Sequence, residues 1–235
     1  MSERRNRWAR RSFLAKAGAG AAAAGAVLGA NSPLVGAQSA ADGGRFQPAR
    51  HAEDDWLDRI PGKHRQVFDT VNHTGLGQAL FFSNNIYTGN KNGYNLEQGD
   101  VAVVIVVRHH STSFAFNDAM WAKYGKSLAG RISFTDPKTH QAPTVNVFQA
   151  TGYGDALTNG GRTLDAALKN GVHLAVCQLS TRANAGVIAR DTGGKADDIY
   201  AELVANLVPN SHIVPAGIVA VNRAQEHGYT FVATT

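Results

Sequence analysis

The chain has 235 residues, 43% of them hydrophobic, with 23 Lys and Arg, 18 Asp and Glu and one cysteine. That size supports one domain with a full core, and a lone cysteine excludes an intramolecular disulfide. Residues 1–37 hold 6 of the cations and 1 of the anions, so the rest of the chain carries 17 of each, which gives no electrostatic case for nucleic-acid binding.

Residues 1–37 read as a secretory signal. A basic stretch (Arg4, Arg5, Arg7, Arg10, Arg11, Lys16) precedes an Ala/Gly-rich apolar run over 17–30, too short and too weakly hydrophobic to span a membrane. Arg10-Arg11-Ser12-Phe13-Leu14-Ala15-Lys16 resembles the twin-arginine export motif, with the lysine one place later than the commonest pattern. Val35-Gly36-Ala37 fits a small-x-small cleavage site, and Ser39-Ala40-Ala41 offers a second. The expected location is the periplasm or another exported compartment, with no stable membrane span once the signal is removed.

Residues 38–62 read as a tail or linker, and the folded domain is expected over 63–235. Trp56-Leu57 suggests a short turn or helix that pins the tail through its ring. A strand is expected at 65–71, then a helix over 77–88 that stops in the Gly89-Asn90-Lys91-Asn92-Gly93 turn. The run V-A-V-V-I-V-V at 101–107 is the strongest strand, a β-branched stretch suited to burial on both faces. It ends in Arg108-His109-His110-Ser111-Thr112, and a helix over 117–124 follows. Residues 125–161, with Pro137, Pro143 and several glycines, read as an insertion with one short strand candidate at 145–148, lying over the sheet edge or at an oligomer interface.

A helix over 162–170 leads into a strand at 172–176 and then Cys177. Ser180 and Thr181 offer caps for a helix starting near Arg182. Further helices at 196–207 and 217–227 alternate with strands at 211–215 and 229–232. Strands separated by helices about five times over predict a three-layer α/β/α sandwich with a mostly parallel sheet of about five strands.

This arrangement puts Cys177 where a strand end meets a helix start, the edge where α/β sheets bind ligands. The helix terminus and Arg182 would favour thiolate, a nucleophile. The alternative is a small hydrophobe packed under the helix. His109 and His110 end a strand expected at the same edge; they would orient a ligand, move protons near the thiol or join Cys177 on a metal. No Cys-x-x-Cys or His-x-x-x-His spacing supports the metal, and no cofactor motif is present. Ser111, Thr112 and Ser113 would serve an anion or simply cap. No Gly-x-Ser-x-Gly elbow supports a serine hydrolase.

Three stretches carry a family resemblance: L-D-A-A-L-K-N-G at 164–171, V-H-L-A-V-C ending in Cys177, and V-P-A-G-I-V-A-V-N-R-A-Q-E-H-G-Y-T-F-V at 214–232. With the valine-rich strand they make residues 64–124 and 162–233 resemble the DsrE/DsrF-like family, which includes sulfur-relay proteins of sulfur oxidation and tRNA thiolation. The resemblance implies a five-stranded α/β sheet, trimers or hexamers, and a persulfide-carrying cysteine at the position of Cys177. It also implies a partner protein that donates or accepts sulfur, and no cofactor. The export signal and the 125–161 insertion depart from the relay proteins. The alternative is a non-catalytic periplasmic binding or assembly module of the same fold.

Overall fold

Seven consecutive apolar residues with no polar face can only sit at the middle of a sheet, and β2 (Val101–Val107) does so, with every residue buried. A computed structural model describes residues 47–235. The export signal and cleavage sites of the sequence reading lie outside those residues. Around β2 the sheet has the order β4-β3-β2-β1-β5, with β1 at His64–Thr70, β3 at Val172–Cys177, β4 at Ser211–Val214 and β5 at Thr230–Thr234. Every neighbouring pair is parallel.

Strand alternation divides the core in two. Val101, Val103, Ile105 and Val107 face one side with Phe68, Leu174 and Val176. Ala102, Val104 and Val106 face the other with Val67, Ala175 and Val214. The crossovers from β1 to β4 all step the same way, so their helices share one face. These are α2 (His73–Tyr94), α3 (Asp118–Ile132), α4 (Leu164–Lys169), α5 (Gln178–Thr192) and α6 (Ala196–Ala205). The chain then returns across the sheet to β5, and α7 (Gly217–Glu226) covers the opposite face together with α1 (Trp56–Arg59). The result is the expected three-layer sandwich, with a sheet that is entirely parallel. Among the described residues no helix is long and apolar enough to cross a membrane.

Three details differ from the sequence reading. Helix α2 continues through Gly89 and Gly93 and ends only at Asn95, which takes a left-handed conformation (φ 53°) and donates its N–H to Lys91 O. Helix α3 continues past 124 because Leu128 and Ile132 extend its buried stripe. The irregular segment therefore starts at Ser133, and 145–148 forms no strand. Val147 and Phe148 are apolar because they plug the core, fixed by buried Asn146, whose Nδ2 donates to Phe114 O (2.8 Å) and Phe116 O (2.9 Å).

Residues before β1 are part of the second core. Trp56, Leu57 and Ile60 are buried there. The Trp56 ring stacks on His212 of β4, centroids 3.9 Å apart, and His212 Nε2 lies 3.0 Å from His173 Nδ1 on β3. Burial, reinforced by His173 and Arg59, pushes the His212 imidazole down to about 4, and burial also lowers His173.

Candidate functional site

The site lies at the C-terminal edge of the sheet and starts from a charged residue inside a strand. Asp69 follows Val67-Phe68 in β1 and is buried, so it requires a partner. Arg108, just after β2, supplies it with a bidentate pair, Nε to Oδ1 at 2.7 Å and Nη2 to Oδ2 at 2.8 Å. The bond to Asp69 raises the Arg108 guanidinium further, and negative charge at Cys177 acts in the same direction. Gly217 begins α7 hard against this side chain; a Cβ there would overlap Arg108 Cβ.

The chain then turns sharply. Thr70 Oγ1 and Ser111 Oγ lie 2.9 Å apart in the interior and between them reach the carbonyls of Val106 and Arg108. His109 takes a left-handed backbone (φ 54°) and donates its N–H to Ser180 Oγ at 2.9 Å. His110 donates its N–H to Val71 O, and the two imidazoles stack at 3.9 Å. Ser111, Thr112 and Ser113 are all buried and bonded internally, Thr112 Oγ1 to Val107 O and Ser113 Oγ to Asn184 Oδ1, so they brace the turn.

Cys177 ends β3 and is itself the cap of α5. The helix starts at once, at Gln178, and Sγ accepts the Ser180 N–H at 3.5 Å. Ser180 and Thr181 are therefore not the caps: the Ser180 hydroxyl holds His109, and Thr181 Oγ1 donates to Cys177 O at 2.9 Å. Cys177 is buried, 5% exposed. By strand alternation it shares the α7 face with Ala175 and pairs in register with Val214.

The structure brings Cys177, His109 and His110 to one edge through the Ser180 link, but Arg182 is not with them. Its guanidinium lies 4.1 Å over the Tyr200 ring and 3.4 Å from Asp197. Arg182 points outward to α6 because it lies one helical step round from Thr181, whose side chain faces in. The cations near the thiol are instead Arg108 and Arg131. Burial lowers the proton affinity of Arg131 near the end of α3, and negative charge at Cys177 opposes that. Arg131 Nη1 donates to His109 O at 3.4 Å. His73, at the start of α2, completes the group. Burial lowers its imidazole, and its ring packs on Phe134 with centroids 4.9 Å apart. Burial lowers His110, as do His109, Arg131 and His73 around it.

A cleft of about 300 Å³ begins at His73 and Thr74 and runs under Ser133, Phe134, Leu157 and Thr158, so the inserted segment forms one of its walls. Among the described residues no group of three or more His, Cys, Asp or Glu side chains is placed to hold a metal ion.

No family model, curated protein or solved structure matches this chain.

Sequence reasoning missed Arg131, His73 and the Asp69–Arg108 pair. A signal existed for two of them. A lone aspartate inside an apolar strand demands a counter-ion, and the apolar spacing of Met120, Trp121, Tyr124, Leu128 and Ile132 carries the helix on to Arg131.

Proposed function

We propose that this chain is an exported DsrE-like protein, working as a homo-oligomer, whose Cys177 accepts sulfane sulfur and passes it to a partner protein. The observation that carries the reading is the setting of the one cysteine: Sγ caps α5 and takes the Ser180 N–H, with Arg108 and Arg131 near enough to respond to its charge. A helix N-terminus and cations are the surroundings in which a thiol works as a nucleophile. In the loading step the Cys177 thiolate attacks the outer sulfur of a donor persulfide. A new S–S bond forms at Cys177, the donor's S–S bond breaks, and the donor leaves as a thiolate with the electron pair. Unloading is the same step run toward an acceptor thiolate, so neither oxidant nor reductant is consumed. We assign to His109 or His110 the proton that leaves the Cys177 thiol before the attack.

Incubation of the folded protein with a persulfide donor, followed by intact mass measurement, tests this. The expected result is a gain of one sulfur atom that disappears in Cys177→Ser. No gain, or a gain that survives the substitution, overturns it.

The 5% exposure of Cys177 favours a second reading, a binding or assembly module in which the thiol only fills space. Iodoacetamide at neutral pH separates the two. Labelling of the folded protein supports the carrier, and labelling only after denaturant is added supports the module.

A further inference from the structure

We propose that Arg131, His73 and His110 form a binding site for a small dianionic oxoanion where the turn after β2 meets the start of α2 and the end of α3. Arg131 is half-buried, and among the described residues no carboxylate lies within ion-pairing distance of it. Its only acceptor there is His109 O at 3.4 Å, which leaves most of its five donors unused. By contrast Arg108 has a counter-charge, the bidentate Asp69 carboxylate. A half-buried guanidinium without a counter-charge is costly, and a fork of N–H donors fits the oxygens of a tetrahedral anion.

The surroundings reinforce this. Arg131 of α3 reaches His109 O, His110 is held by its N–H on Val71 O two residues before His73, and His73 of α2 packs on Phe134 just beyond Arg131, so three elements bring cationic or cation-forming groups together. The first turn of α2 adds no acid, and Asn72 already caps it through Gly75 N. His73 and Phe134 also line the cleft described above. Burial lowers His73, and burial with the neighbouring His109, Arg131 and His73 lowers His110, so a bound dianion would draw a proton onto one of them. The inference goes beyond sulfur transfer, since it does not require Cys177 to react.

Direct titration with inorganic sulfate, and separately phosphate, against chloride at matched ionic strength tests it. Calorimetry on the full-length folded protein is expected to show one site, binding several-fold tighter at pH 6.0 than at pH 7.5. Arg131→Gln should weaken it at least tenfold. Arg131→Lys, which keeps the charge but loses the fork, should fall between and covers the case in which the glutamine variant does not fold. Equal sulfate affinity in wild type and both folded variants, or heat indistinguishable from chloride, overturns the site. Sulfate binding with an inert thiol would sink the carrier and leave the anion site standing, and a reactive thiol without Arg131-dependent binding would do the reverse.

Discussion

Replacing His212 with phenylalanine should change how the protein's stability depends on pH more than how stable it is. Phenylalanine keeps a ring for Trp56 to stack on but removes the group that burial holds at about 4. As pH falls below the ordinary histidine value of 6.5, the unfolded chain takes up a proton that the folded His212 refuses. Stability therefore drains away between pH 6.5 and about 4 and levels off below. At about 1.36 kcal/mol per pH unit the ceiling is about 3 kcal/mol; His212 is only half-buried, so about half of that is a fair expectation, roughly 1.5 kcal/mol. At pH 7.5 the variant lacks the hydrogen bond to His173 and should be less stable than wild type by about 1 kcal/mol. By pH 4.5 it should match or exceed wild type. Urea midpoints for the two proteins across pH 4.5 to 7.5, followed by tryptophan fluorescence, give the curve. Asp58, Asp136 and Glu202, whose carboxyls are held low by their partners, also cost stability in acid, but they do so in both proteins. Parallel curves would refute the argument, because they would mean the Trp56–His212–His173 stack is not where the protons are refused.

Asp69→Asn should strand Arg108 at the strand end and cost about 1.5–3 kcal/mol, seen as a melting point lower by several degrees. An unchanged melting point would show that water replaces the carboxylate freely. In α3, Gly130→Ala meets open space and should gain up to about 1 kcal/mol from helix propensity, whereas Gly125→Ala drives its Cβ into Pro143 O. The expected signature of Gly125→Ala is a net loss of about 1–2 kcal/mol with faster proteolysis confined to residues 133–163. Uniform proteolysis along the chain would argue against a docked insertion.

The sheet was legible because its signals are local. Val101–Val107 has no alternative to a central strand, and Val172–Cys177 runs straight into a helix start. The helix ends were less so. Gly89 and Gly93 read as a stop, yet the helix runs through both, and Asn95 supplied the left-handed residue that ended it. Cys177 and the two histidines could be placed at one edge from strand order alone. What could not be read was which cation turns toward them. Arg182 is five residues from Cys177 in sequence but is captured by Asp197 and Tyr200, while Arg131 comes from the far end of another helix. Capping failed similarly: Ser180 and Thr181 have good capping chemistry, but a partner 71 residues away took the first, and the sulfur itself did the capping.

The position of β5 constrains when this protein can finish folding. It lies beside β1 at the opposite end of the sheet from β4, and it is translated after every other strand. Until it leaves the ribosome, one flank of β1 is an open row of amides and carbonyls, vulnerable to pairing with another nascent chain. Gln66 meets Thr230 across that seam, its Nε2 donating to Thr230 O at 2.6 Å, so the last clasp to shut joins segments 164 residues apart. A ribosome that stalls before Thr230 would release a molecule with its candidate chemistry assembled and its edge unguarded.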